Sequence, residues 1–209
     1  DTVDLSKTSL PNAYDYDALV AEGDPSHTFN SHFDENTPAG MCYTSATTGM
    51  PKGVVYTHRS IVLHSLALLF TDGFALTERD TLLPIVPMFH ANAWGMPFAC
   101  VNAGITQVLP GPFFTPDLLL DLFERYQVTV SAGVPTVWLG FVQAQKENPR
   151  DLSHVRLLVN GGSAAPMSLV KAFDDWGITF YTGYGMTETS PLVSITIDTS
   201  HTETQTKEE

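Results

Sequence analysis

Residues 44 to 53 read Thr-Ser-Ala-Thr-Thr-Gly-Met-Pro-Lys-Gly, placing four aliphatic hydroxyls, two glycines and one lysine between the apolar runs Met41–Tyr43 and Val54–Tyr56. Hydroxyls and freed backbone N–H groups are the donors a polyphosphate takes up, and glycine lets main chain approach an anion closely. Lys52 adds a compact positive charge that can follow phosphate oxygens. A Walker-type loop would need Gly-Lys-Ser/Thr opening a helix. Here Pro51-Lys52-Gly53 leads into β-branched residues, so the loop joins two strands. A Thr/Gly-rich strand connection is also an ordinary turn, and the loop alone leaves both readings open.

Three further segments carry residue types suited to chemistry. Val86 to Gly95, with His90 and Trp94, ends a strand and opens a helix. In open α/β sheets ligands sit beyond the carboxyl ends of strands, which places His90 to meet one. A histidine at a helix start can equally hydrogen-bond backbone alone. In a continuing helix Trp94 lies one turn beyond His90 on the same face, where it can also serve as core. The run Gly161-Gly162-Ser163-Ala164-Ala165-Pro166 follows another strand. Such small residues let a flat ring lie against backbone, or simply make a tight strand–helix turn. Last, Thr187 and Glu188 present hard oxygen donors, which suit Mg²⁺, an ion that keeps waters and bridges phosphates through one or two carboxylates.

Thr44–Gly53 resembles the phosphate-binding signature of the acyl-adenylate-forming (AMP-binding) superfamily, and Tyr184-Gly185-Met186-Thr187-Glu188-Thr189 resembles a second signature of that superfamily. From Tyr43 to Pro191 the chain looks most like bacterial long- and medium-chain fatty acyl-CoA synthetases. One departure is Ala46, which stands where the usual pattern has glycine; its methyl restricts positive φ, so the loop is either in αR or β there or binds phosphate less well.

The resemblance implies that Thr44, Ser45, Ala46, Thr47, Thr48, Gly49 and Lys52 hold the β- and γ-phosphates of ATP. It implies that Gly162, Ser163, Ala164 and Ala165 contact adenine, with Tyr184 stacked on the other face and Gly183 and Gly185 leaving backbone open to the ring and α-phosphate. Thr187 would contact the α-phosphate, Glu188 (with Thr44) would bind Mg²⁺, and His90 would orient the acid's carboxylate. Amino-acid-activating relatives place an aspartate at this position, so His90 favours an acid without an α-amino group. Trp94 would gate the acyl tunnel. The implied reaction is in-line attack of a fatty-acid carboxylate on ATP, then transfer of the acyl group from AMP to CoA.

The superfamily also uses a Thr-Gly-Asp element for the ribose and a C-terminal domain with a catalytic lysine. Neither occurs in these residues, and the chain has no initiator Met, so it reads as a central fragment with little expected turnover of its own. Two other readings stand beside the leading one: adenylation of an aryl or luciferin-like acid, and a non-catalytic ATP-binding remnant.

Composition bounds the alternatives. The chain has 209 residues, 43% hydrophobic and 16% charged, enough for one domain with a real core. Its net charge of −13 argues against a nucleic-acid partner, whose phosphates would be repelled. Cys42 and Cys100 lack any CxxC or zinc-like spacing and read as buried reduced thiols of a cytoplasmic protein. The uncharged stretch Thr81–Pro116 is broken by prolines and glycines, so no membrane span is expected, and a homodimer is possible for the complete enzyme.

The elements that must position these residues follow from periodicity. Strands are expected at Met41–Thr44, Val54–Tyr56, Leu82–Val86, Thr106–Leu109, Val128–Ser131, Val155–Val159 and Ile178–Tyr181. Helices are expected at Arg59–Thr71, Ala91–Val101, Pro116–Tyr126, Pro135–Lys146 and Pro166–Asp175, with a short one around Tyr14–Ala21. Their alternation predicts an α/β fold, largely parallel sheets flanked by helices, and the resemblance implies that it is part of the large N-terminal domain of an acyl-adenylate-forming enzyme. Residues 1–38 read as an acidic lead-in, 39–197 as a partial adenylation domain and 198–209 as a polar tail.

Overall fold

Leu82 and Leu83 on one strand, and Leu157, Leu158 and Val159 on another, are all buried, although neighbours in a strand point to opposite faces. Both faces of the sheet must therefore be covered, which is the condition that parallel sheets meet. The computed structural model describes residues 4–45 and 49–197 and shows this arrangement. The chain divides into two compact units, residues 1–34 and 35–209.

In the first unit, a 3-10 turn at Leu5–Lys7 is capped by Asp4, and helix α1 (Tyr16–Ala21) by Asp15, whose carboxylate accepts from Ala18 N–H at 2.9 Å. Neither element buries a residue.

The second unit opens with an antiparallel hairpin, β1 (Pro38–Thr44) against β2 (Lys52–Thr57), with Thr44 opposite Lys52 at its mouth. Cys42 and Tyr56 are its buried residues. Helix α2 (His58–Leu69) follows at once, started by a capping box between Thr57 and Ser60. Next come β3 (Thr81–Pro84), the four-residue turn α3 (Ala91–Trp94), α4 (Met96–Ala103), β4 (Thr106–Gln107), α5 (Pro116–Tyr126), β5 (Val130–Gly133), α6 (Pro135–Glu147), β6 (Leu157–Asn160), α7 (Met167–Asp175), β7 (Thr179–Gly185) and β8 (Leu192–Ile195). The main sheet has the order β4-β3-β5-β6-β7-β8. All its pairings are parallel except that of β8, which returns antiparallel to β7.

Leu83 and Leu158 face a core built from α5, α6 and α7, including Phe123, Trp138, Phe141 and Phe173. Trp138 packs edge-on against Phe141 and Phe173 at 5.9 and 6.0 Å and donates its indole N–H to the Gly133 and Val159 carbonyls, so its polar atom is satisfied inside the core. Leu82, Val130, Ala132, Leu157 and Val159 face the opposite core with Leu68 of α2 and Met96 and Cys100 of α4. Cys42 and Cys100 are buried and free. No helix among the described residues is long and apolar enough to cross a membrane.

The α/β architecture with a largely parallel, helix-flanked sheet is as expected. Two elements differ. Strand β8 was not anticipated, and the helix expected over Ala91–Val101 is two pieces. A right-handed helix through this region would drive the Pro97 ring into the Ala93 carbonyl. The chain instead makes a left-handed turn, φ being 45° at Ala91, 54° at Asn92, 51° at Ala93 and 55° at Trp94, before α4 starts after Gly95.

At the amino end of the sheet, Asp80 is buried and accepts bidentate hydrogen bonds from Arg156, Nε to Oδ1 and Nη2 to Oδ2, both 2.8 Å. Thr129 Oγ1 donates to Asp80 at 2.7 Å, Thr77 N–H donates at 2.9 Å, and Arg156 also reaches the Phe74 and Ala75 carbonyls. Burial disfavours the Asp80 charge, but these hydrogen bonds, Arg156 first, outweigh it and hold the carboxyl below its ordinary range. A depressed carboxyl stabilises the fold above its unfolded value, and the contribution is lost as pH falls through the folded value. Arg156→Ala should lower unfolding free energy of the whole protein by roughly 2–4 kcal/mol at neutral pH, because Asp80 is left buried without its partner. Urea unfolding checks this, with unmodified protein losing the same contribution only below about pH 4.

Candidate functional site

The carboxyl ends of β6 and β7, together with the segment after β3, enclose a cavity of about 310 Å³. Its wall brings together His90 and Trp94 from the turn after β3, Gly161 and Gly162 from the turn after β6, and Gly183, Tyr184, Gly185 and Thr187 from β7 and beyond. Leu68, Phe74, Pro191 and Leu192 also line it. Seven of the residues singled out from the sequence thus share one concave site: His90, Trp94, Gly162, Gly183, Tyr184, Gly185 and Thr187.

His90 and Trp94 do not meet there as successive positions on one helix face. His90 is exposed at the start of the left-handed turn, its N–H held by the Pro87 carbonyl at 2.9 Å. The Trp94 indole lies directly over Gly161, where an added Cβ would fall 2.8 Å from Trp94 Cη2. Only glycine at 161 lets the ring sit this close to the turn.

Gly162 needs its glycine for a different reason, adopting φ 81°. Ser163, Ala164 and Ala165 continue that turn towards α7 outside the cavity lining. Asn160, fully buried at the end of β6, donates from Nδ2 to the Ser163 carbonyl at 2.9 Å and so fixes the turn from below. Gly185 is required by packing as well, since a Cβ there would land on the Pro191 carbonyl of the returning strand.

Glu188 is exposed on the same 3-10 turn as Thr187 (Thr187–Thr189) and does not line the cavity. Among the described residues no cluster of three His, Cys, Asp or Glu side chains can cage a cation. A lone exposed carboxylate beside a threonine hydroxyl is the hard-oxygen donor set that suits Mg²⁺ shared with phosphate oxygens.

The hairpin residues Thr44, Ser45, Gly49 and Lys52 lie apart from the cavity lining, on or beside the open end of β1 and β2, and Ala46, Thr47 and Thr48 fall outside the described residues. The hairpin is nevertheless tied to the site. Tyr56 O–H donates to the Thr187 carbonyl at 2.7 Å. Burial, with the nearby Cys42 and Glu188, pushes the Tyr56 hydroxyl up to about 12, so it stays a donor at any physiological pH. Tyr56, Asn160 and Asn92 are site-shaping residues that motif reading passed over. Their roles are contacts between distant segments, and no local pattern announces them.

His64, on α2 one turn before Leu68, sits behind the site against Gly95, and its Nε2 has no hydrogen-bond partner among the described residues. Burial pushes this imidazole down to about 4.

Known proteins resemble this chain. Residues 3–208 match the family model described as AMP-binding enzyme, and the chain belongs to that family. It is 49% identical over 193 residues to a long-chain-fatty-acid–CoA ligase of Thermus thermophilus, covering 92% of this chain and 35% of that protein. It is 40% identical to a medium-chain-fatty-acid–CoA ligase of Ectopseudomonas oleovorans, covering 94% and 36%. Among solved structures, o-succinylbenzoate coenzyme A synthetase of Bacillus subtilis in complex with ATP and magnesium superposes with a TM-score of 0.76 at 28% identity, covering 86% of this chain and 37% of that one. The chain therefore spans about a third of the length of the relatives it matches.

The buried histidine generates a pH test. A base whose folded value lies below its unfolded one favours unfolding wherever the unfolded chain takes up the proton, here between about 6.5 and about 4. Unfolding free energy should fall across that interval by up to about 1.4 kcal/mol per pH unit. His64→Gln should flatten that slope in urea titrations repeated at each pH.

Proposed function

We propose that this chain supplies the adenylation site for ATP- and Mg²⁺-dependent activation of a fatty acid to acyl-AMP, which the whole protein converts to acyl-CoA. The observation that carries the reading is the convergence in one cavity of the His90–Trp94 turn, the Gly161–Gly162 turn and the Gly183–Thr187 segment. The similarity to two fatty-acid–CoA ligases supports the choice of acid, and the ATP- and magnesium-bound relative supports the nucleotide and metal.

On this reading the purine lies between the glycine turn and the Tyr184 ring, which is exposed and available to stack. Gly162 to Ala165 and Gly183 to Gly185 offer backbone groups to it. His90 at the cavity edge holds the acid's carboxylate in line with the α-phosphorus. Thr187 contacts the α-phosphate, and the hairpin from Thr44 to Gly49, with Lys52, holds the outer phosphates. Glu188, with Thr44, would hold Mg²⁺, which when bound offsets the phosphate charge. The protein's contribution is positioning and charge neutralisation more than covalent chemistry. Trp94, seated over Gly161 and sharing the cavity wall with Leu68 and Phe74, would serve as the acyl gate.

A second reading, an aryl acid in place of the fatty acid, is favoured by the structural likeness to the o-succinylbenzoate-activating enzyme. A panel of fatty and aryl acids, assayed by pyrophosphate release in the whole protein, separates the two. Fatty-acid-dependent release with little response to aryl acids is expected. Glu188→Gln should lower Mg²⁺-dependent release by roughly 100-fold or more while circular dichroism and melting temperature stay unchanged. Retained Mg²⁺ dependence in that variant would sink the assignment of Glu188.

A further inference from the structure

Five residues of the cavity wall, Leu68, Phe74, Trp94, Val159 and Leu192, belong to one apolar cluster, the core that α2 and α4 form against the sheet. The apolar part of the wall is therefore continuous, and it suits an unbranched hydrocarbon chain. Phe74 lines the cavity and also belongs to the same cluster as Leu82, Met96 and Cys100, none of which has any exposed surface. Cores are packed as densely as organic crystals, so the ring has filled space at its back.

Its main chain is held from both sides. Gly73 precedes it at a point where an added Cβ would land on the Ala67 carbonyl, so the loop leaves α2 pressed against the end of that helix. Phe74 N–H donates to the Leu68 carbonyl at 3.2 Å, and Ala75 N–H donates to the Phe70 carbonyl at 3.1 Å. From the other direction Arg156 donates to the Phe74 and Ala75 carbonyls at 3.1 and 3.0 Å. Arg156 is itself clamped by the buried Asp80 carboxylate. The N–H and the carbonyl of Phe74 are both taken, one by α2 and the other by an arginine just before β6.

The space in front of the ring is small. At about 310 Å³ the cavity lies at the lower end of the roughly 300–1,000 Å³ typical of ligand pockets. Water takes about 30 Å³ in the liquid and a methylene about as much, so the cavity holds about ten such groups. A hexadecanoyl chain alone exceeds that, before a purine takes its share.

We propose that Phe74 is a fixed stop for the acyl chain, and that the protein activates short and medium fatty acids, octanoate and below, in preference to long ones. This rests on the reading of the cavity as an adenylation site. Each methylene that enters the apolar part strengthens binding about fourfold until the chain meets the ring. Beyond that point a further methylene must displace packed side chains or stay in water.

The test is pyrophosphate release by the whole protein with Mg²⁺ and ATP, read as kcat/KM for butanoate, hexanoate, octanoate, dodecanoate and hexadecanoate. Unmodified protein should peak at octanoate or earlier, with hexadecanoate lower by about tenfold or more. Phe74→Ala removes the ring, and the hexadecanoate-to-octanoate ratio should rise about tenfold or more, the gain from two or more newly buried methylenes. Phe74→Leu, which leaves the core better filled, should raise the ratio by a smaller factor. The ratio compares two acids on one protein sample, so any loss of folded protein cancels from it. A merely structural role for Phe74 would lower both acids alike.

An unchanged ratio in both variants, or unmodified protein that prefers hexadecanoate, would overturn the stop while the adenylation reading stands. Absence of release with every fatty acid in the series would overturn the fatty-acid adenylation reading and the stop with it.

Discussion

A sheet of parallel strands buried on both faces leaves a protein only its two ends for chemistry, and this constraint arranges everything else in the second unit. The crossover helices α5, α6 and α7 seal one face and α2 and α4 the other, with leucines on neighbouring strand positions committed to opposite cores. At the amino end, the Asp80–Arg156 pair ties the loop carrying Phe74 and Ala75 to strands β3 and β6. That end is spent on structure. The carboxyl end keeps its turns free, and the cavity forms where they converge.

At that end the glycines divide into two kinds by what their missing side chain permits. Gly162 is a matter of backbone conformation, whereas Gly161 and Gly185 are matters of space, one for the Trp94 ring and the other for the returning strand β8. A glycine-rich signature is then partly a packing record. Conformation and close approach are selected separately within a few residues of each other, and neither use requires a ligand in contact with every glycine.

The alternation of strands and helices and the pairing of the two apolar runs around residues 41–43 and 54–56 were readable because each depends on local chemistry, the periodicity of apolar residues and the turn-forming types between them. The left-handed turn was half-readable. Pro97 marks the place where no helix can run through from Ala91, but nothing local says which hand the chain takes before it. Strand β8 was hidden because Leu192–Ile195 is too short for its pattern to stand out, and its pairing with β7 is specified by partners beyond the segment. The links from Tyr56 to Thr187 and from Cys42 to Asn92 span 131 and 50 residues, and contacts at such separation leave no periodic trace.

Strained backbone persists only where surrounding structure over-determines it, and it gathers where a site needs two arrangements of nearly equal energy. The turn from Ala91 to Trp94 is over-determined in this way. It is fixed below by buried alanines and bounded at its far end by Gly95, which His64 abuts so closely that an added Cβ would fall 2.5 Å from its Nδ1. Towards the hairpin and the cavity it is held by softer contacts, a thiol on an amide and an indole on a glycine. The stiff side anchors the turn in the core, and the soft sides face the hairpin and the cavity.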